Sequence, residues 1–260
     1  MSRQNYKKKR GGFLIVLLVW FILMLIPIGF YGRRVYDIYS ARQTNQANQS
    51  IDTSNFYHPD IPSANSAPSP SAGISTLPTN ALIDIAFTAQ APNAVWDALH
   101  EDACEEASFI MVKHYLDKTS LGSPSDVDQE IQAMVAYETQ NGYGPSITSE
   151  DLAKVVQNHY GMTGQVKSAT IENIESDIAS GHPVIIPAAG KLLDNPNFKD
   201  GGPNYHMLVI KGYDGTNFIT NDPGTRNGNG YVYTQTTLMN AIHDWDSANI
   251  LNGPAVYLVF

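Results

Sequence analysis

The pattern of apolar and polar positions changes character twice along the chain. From Phe13 to Tyr31 the run FLIVLLVWFILMLIPIGFY holds 19 residues without a charge, the length that crosses a hydrocarbon core of about 30 Å. It predicts a transmembrane helix over residues 13–31, with Pro27 near its end, where the lost hydrogen bond is tolerated. Residues 41–80 are rich in Ser, Asn, Gln, Thr, Ala and Pro (QTNQANQS, SANSAPSPSAG). Such a segment buries too little surface to offset its ordering entropy, so residues 32–80 are expected to be a flexible linker.

From residue 81 the apolar positions become periodic. Ala103, Ala107, Ile110, Met111, His114 and Tyr115 recur at helical spacing as far as Lys118, behind Asp102 and Glu105, which read as an acidic capping box. That reading makes Asp102 the N-cap and puts Cys104 at the second helical position. Val127, Ile131, Met134 and Val135 mark a second helix, and Leu152, Val155, Val156 and His159 a third that ends at Gly161. Ile171, Ile174 and Ile178 mark a fourth, ending at Gly181. Strands are predicted at 183–187, 207–211, 217–220, 231–234 and 255–260, with one more helix around 236–245. Helices first and strands afterwards predict an α+β fold, N-terminal helices packed on a mostly antiparallel sheet, in a single domain over 81–260.

Charge adds orientation. Of the sixteen Lys and Arg residues, eight lie in residues 1–42 with a single acid, Asp37, giving +7 there; the net charge of −9 then leaves −16 on the rest. So acidic a body lacks the basic face that nucleic acid requires, and no nucleic-acid partner is expected. Arg3, Lys7, Lys8, Lys9 and Arg10 precede the apolar run, while Arg33, Arg34 and Arg42 follow it. The positive-inside rule therefore places residues 1–12 in the cytoplasm and the body outside, a single-pass protein of the cell membrane. A cleaved signal peptide is the competing reading, but its apolar region usually runs about 7–15 residues and ends at a small-residue site. Here Tyr31-Gly32-Arg33-Arg34 follows, so an uncleaved signal-anchor is expected.

With one cysteine, Cys104, an intramolecular disulfide is impossible. A lone thiol in an exported domain is either a buried small hydrophobe or a useful group. At a helix start, unpaired N–H groups and the positive end of the helix dipole stabilise a thiolate; Glu101, Asp102, Glu105 and Glu106 oppose it, so a cationic partner is needed. His206 is the best placed of the seven histidines, ending the loop KDGGPNY and beginning an apolar strand. Asp222 follows the strand NFIT in Asn221-Asp222-Pro223-Gly224; by itself Asp-Pro-Gly is a turn signal. Gln90 is uninformative alone. No second cysteine or close histidine pair completes a zinc-like ligand set, so neither metal nor cofactor is expected.

Taken together, Ala89-Gln90-Ala91-Pro92, Trp96, Ala103-Cys104-Glu105-Glu106-Ala107-Ser108, the strand from Tyr205 to Asp214 and Asn221-Asp222-Pro223-Gly224 resemble the C39-like peptidase family of papain-fold cysteine peptidases. The resemblance covers about residues 81–260 and implies a papain-like catalytic domain. It implies Cys104 as nucleophile, His206 as base, Asp222 as the group that orients the histidine, and Gln90 in the oxyanion hole. The expected activity is hydrolysis of a peptide bond in a peptide or protein substrate. A non-catalytic domain of the same fold that binds peptide or cell-wall material, and a peptidoglycan amidase or endopeptidase, are the alternatives.

The triad carries a condition on strand register. Residues opposite one another in an antiparallel pair share a face, and a slip of one residue reverses that relation. A three-residue bulged turn over Tyr213-Asp214-Gly215 would set Gly212 opposite Thr216 and His206 opposite Asp222. A two-residue Asp214-Gly215 turn would put the two side chains on opposite faces unless a bulge elsewhere compensates. The bulged turn is expected.

Overall fold

The structure is a computed structural model, and it describes residues 51–62 and 77–260. The expected span 13–31 and the basic segment 1–12 lie outside the described residues, among which no helix is long and apolar enough to cross a membrane.

The first helix, α1 (Cys104–Leu116), is central and is buried at nearly every position. One side of it, with Phe109, Met111, Val112 and Tyr115, joins the main core against the sheet. The other, Ala103, Ala107 and Ile110, meets Leu121, Val127 and Ile131, largely from α2 (Pro124–Gln140). A helix covered on both sides has no solvent face for its acids, which is why Glu105 and Glu106 are buried. The covering also moves the helix start. The N-cap is Ala103, with no side-chain cap, and Cys104 is the first helical residue, so the expected Asp102 capping box does not form. Ala103 is fully buried in the α1–α2 contact; tertiary packing, not a local side-chain bond, sets this terminus.

The remaining helices lie where their apolar stripes place them, except that the last, expected around 236–245, ends at Ala241 because Ile242 is extended. Ser123 and Asp126 form a capping box on α2. Thr148 caps α3 (Ser149–Tyr160), which stops at left-handed Gly161, and Thr170 caps α4 (Ile171–Ala179). The short α5 (Gln235–Ala241) begins after Thr234.

The strands are β1 (Ala81–Leu82), β2 (Gln165–Ser168), β3 (Val184–Ala188), β4 (His206–Tyr213), β5 (Asn217–Asn221), β6 (Asn229–Thr234) and β7 (Val256–Val259). They form one sheet in the order β2-β7-β3-β4-β5-β6, with β1 paired to β4, and every pairing is antiparallel. The expected mixture of helices and antiparallel sheet is what is found. β1 and β2 were not expected from the sequence: the first is two residues long, and the second, QVKS, lacks buried positions and so carries no apolar alternation.

The β4–β5 hairpin departs from the expected turn. The N–H of Asp214 donates to the carbonyl of Asn217, so Gly215 and Thr216 form a two-residue tip, with Gly215 at φ +86°; positive φ at the first tip residue is the type II′ arrangement. The Asp214 carboxylate accepts from the N–H of both Thr216 and Asn217, an Asx turn that holds this tip in place. Near the tip Tyr213 faces Phe218 and Gly212 faces Ile219, whereas beyond Lys211 the pairs are Ile210 with Thr220 and Val209 with Asn221. A bulge at Lys211 thus restores the parity that the turn had reversed. His206 and Asp222 share a face because of that bulge, displaced by two residues from direct opposition.

Of the expected linker 32–80, residues 32–50 and 63–76 lie outside the described residues, while 51–62 lie against the body: Tyr57 bridges to Ala81, Leu82 donates its N–H to the Tyr57 carbonyl, and Ile61 packs on the core. Gly181 makes room for this approach, since a Cβ there would stand 2.2 Å from the Asp60 carbonyl oxygen. Ile61 contributes its side chain, whereas Tyr57 is 46% exposed and joins through its backbone, contacts that composition does not report.

Candidate active site

The site forms where the β4–β5 ladder ends. β5 stops at Asn221 opposite Val209, and two residues further stands Pro223, which has no N–H to continue the ladder. The carbonyl of Pro223 accepts the N–H of Gln90, and the N–H of Met207 on β4 donates to the Cys104 sulfur at 3.4 Å. Termination of one strand therefore leaves positions that the Gln90 segment and the start of α1 occupy. Cys104 is 5% exposed. Its thiol donates to Glu105 Oε2 at 2.8 Å. Burial pushes the thiol well above its ordinary range, the charge and hydrogen bond of Glu105 add to this, and the Met207 N–H works against it.

His206 and Asp222 are 1% and 0% exposed and are joined by a 2.8 Å hydrogen bond from Nε2 of the ring to Oδ1. Every other approach to the carboxylate is also a donor. Gly224 N–H reaches Oδ1 at 3.0 Å, while Tyr233 O–H and Asn195 Nδ2 reach Oδ2 at 2.6 and 3.1 Å. Burial alone would raise this carboxyl, but the charge and hydrogen bond of His206, with the Tyr233 and Gly224 bonds, outweigh it and hold the carboxyl below its usual range. The ring packs edge-on against Phe198 with centroids 5.3 Å apart. A Cβ on Gly224 would stand 2.8 Å from both His206 Cε1 and Phe198 Cε1, so only glycine lets the loop close over the ring. With Nε2 committed to Asp222, Nδ1 is the nitrogen left for proton transfer.

Gln90 lies beside this assembly, but its side-chain amide donates to the carbonyls of His100 and Glu101 at 2.8 and 3.0 Å. Both hydrogens are committed, and Oε1 is buried without a partner. In this arrangement Gln90 ties the loop that leads into α1 to the Pro223 segment. Gln90→Ala is therefore expected to lower stability by about 1–3 kcal/mol, because two carbonyls lose their donor, and to weaken catalysis only through displaced geometry. Thermal melts beside steady-state kinetics check this. An unchanged melting temperature with kcat down by about 10²–10³ would assign the amide to the oxyanion hole.

Tyr233, Asn195, Gly224 and Glu105 all contact the site; Gly224 and Glu105 lie within the motifs read from the sequence, whereas Tyr233 and Asn195 were not found by sequence reasoning. Tyr233 sits one residue before the end of β6 and Asn195 in the loop after β3; neither has a motif, and only the folded chain brings them to Asp222. Among the described residues no group of three or more His, Cys, Asp or Glu could hold a metal ion.

No curated protein matches the chain. Among solved structures, one from Bacillus anthracis assigned to the C39-like peptidases is 14% identical, with a TM-score of 0.45, covering 68% of this chain and 94% of that one. The model of the Peptidase_C39 like family matches residues 82–249, a stretch that runs from β1 past α5 and contains Cys104, His206 and Asp222. On that match, the chain belongs to the peptidase C39-like family.

Proposed function

We propose that the chain is a membrane-anchored thiol peptidase of papain-like fold that hydrolyses a peptide bond outside the cytoplasm through Cys104, His206 and Asp222. The observation that carries this reading is the buried His206–Asp222 hydrogen bond of 2.8 Å, formed at the strand end where the next N–H holds the Cys104 sulfur. In the reaction, His206 takes the thiol proton, and the sulfur attacks the carbonyl carbon while the carbonyl π pair moves to oxygen. Cys104, the first residue of α1, has an N–H without an intrahelical acceptor, which suits it to receive that oxyanion. Collapse expels the amine, protonated by His206. Water, deprotonated by His206, then cleaves the thioester. Asp222 keeps the ring oriented and stabilises the imidazolium throughout. The uncharged run 13–31 and the basic residues around it support anchoring, with the domain on the outer side.

One observation favours a second reading. The thiol is buried, donates to the Glu105 carboxyl group and has no hydrogen bond to His206 among the described residues, as suits a non-catalytic domain that binds peptide. The full-length chain in detergent micelles, incubated with a peptide carrying a thiol-reactive warhead and separately with a mixed peptide library, distinguishes the two. The peptidase reading expects covalent labelling at Cys104 and library cleavage near neutral pH. Peptide binding without labelling or cleavage would establish the binding module instead.

A further inference from the structure

Glu105 is the least expected group beside the nucleophile. Its Oε2 is 2.8 Å from the Cys104 sulfur, and its Oε1 is buried without any partner. The side chain is 2% exposed, and no lysine or arginine pairs with it among the described residues. We propose that Glu105 is a further catalytic residue of the thiol reaction proposed above, its carboxylic acid O–H donating to the Cys104 sulfur once His206 has taken the thiol proton. This rests on that reading and adds to it the source of the thiolate's second hydrogen bond, the first being the Met207 N–H.

The surroundings keep Glu105 an acid. The titratable groups that face it are Cys104 and Glu106 on its own helix, Glu138 on α2, and Tyr205 ahead of β4, with Asp244 beyond Tyr205. None of these carries positive charge. Burial, with the Glu138 carboxyl, pushes Glu105 up to about 8, against the hydrogen bond from the Cys104 thiol and those from the N–H of Glu105 itself and of Ile147. At neutral pH the group therefore holds its proton, and a neutral acid can donate to sulfur where a carboxylate can only repel it. The proton stays on Glu105 through the cycle: the C–S bond forms, the amine leaves with the proton from His206, and the thiolate that returns on deacylation meets the same O–H. When Glu105 ionises, the one proton left between sulfur and carboxylate is held as S–H···O⁻ and the nucleophile is lost.

The test is the pH profile of two reactions of the full-length chain, peptide hydrolysis and alkylation of Cys104 by iodoacetamide, in the wild type and in Glu105→Gln and Glu105→Ala. The wild type should lose rate in both reactions as pH rises through about 8. Glu105→Gln, whose amide N–H still donates to sulfur but does not titrate, should lack that alkaline loss and alkylate faster at neutral pH than Glu105→Ala. Glu105→Ala, which folds without a buried charge but offers no donor, should alkylate at least about tenfold more slowly at neutral pH. An alkaline loss that persists unchanged in Glu105→Gln, or a neutral alkylation rate unchanged in Glu105→Ala, overturns the proposal. A chain that hydrolyses no peptide but still shows the Glu105-dependent alkylation profile would overturn the peptidase reading and retain the Glu105–sulfur bond.

Discussion

Cys104→Ala is expected to abolish hydrolysis and leave the fold standing. Alanine suits the first position of a helix, and the change removes only the sulfur's contacts with the Met207 N–H and Glu105, costing about 1–3 kcal/mol. The same logic makes Asp222→Asn the second decisive substitution. Four donors converge on this carboxylate, from His206 and Gly224 on one oxygen and Tyr233 and Asn195 on the other. An amide has a single oxygen, so its NH₂ must face two donors whichever way it turns. Either His206 loses its acceptor or Tyr233 and Asn195 are repelled. A fall in kcat of about 10⁴ is expected, the scale reached when a buried orienting carboxylate is converted to its amide, together with a lower melting temperature. Kinetics on the library-derived substrate and thermal melts measure both. Turnover by Cys104→Ala, or an Asp222→Asn variant as fast as the wild type, would end the triad reading.

Stability is expected to fall steeply as pH rises from weak acid to about 8. Glu105, Glu106 and Glu138 form a buried carboxyl group cluster joining α1 to α2. Burial raises all three; in addition Glu106 donates its proton to Glu138, whose charge together with that of Glu105 pushes it higher still. A carboxyl raised in the folded state binds more protons folded than unfolded over the interval between its two values. Folding therefore loses free energy as pH climbs from the ordinary carboxylate range toward the folded value. For Glu105, raised from 4.5 to about 8, the full loss is on the order of 5 kcal/mol at about 1.4 kcal/mol per unit. His100 acts in the same direction. Burial opposes its charge, but its bonds to Asp97 and Asp128 at 2.7 and 2.6 Å raise it, so its contribution is complete below 6.5 and lost as pH rises through the folded value. Asp222 acts oppositely, its contribution being present above the ordinary carboxylate range and lost in strong acid. Maximum stability should thus lie in weak acid. Melting temperature measured from pH 4 to pH 9 checks this, with Glu138→Gln, which still accepts the Glu106 proton but cannot ionise, expected to flatten the alkaline decline. A wild-type melting temperature that rises over the same range would show that the cluster is not buried as described.

What could be read in advance and what could not divide along the range of the interactions. Helices α2, α3 and α4 were legible because their apolar stripes are local and Gly161 ends α3 in the left-handed region; the caps Ser123, Thr148 and Thr170, which accept from the N–H three residues on, are local too but were not read. The start of α1 was misread because Ala103 is held by Ile110, Leu121 and their neighbours, contacts that the capping residues Asp102 and Glu105 do not report. Strands β3 to β7 were legible from β-branched and aromatic runs, whereas β2 owes its place to pairing with β7 rather than to its own residues.

The sequence by itself determined that a periodic, acidic body follows an uncharged run of transmembrane length and that most of its helices precede most of its strands, and its resemblance to the C39-like peptidases singled out Cys104, His206 and Asp222. Tertiary structure decided how they meet. The hairpin tip at Gly215 reverses the register, and the bulge at Lys211 reverses it again, so that a parity no single turn signal could predict puts His206 and Asp222 on one face. Tertiary structure also decided the charge state around the thiol, because a glutamate reads as a solvated acid in a sequence and becomes a proton donor only when packing on both sides of its helix takes the water away.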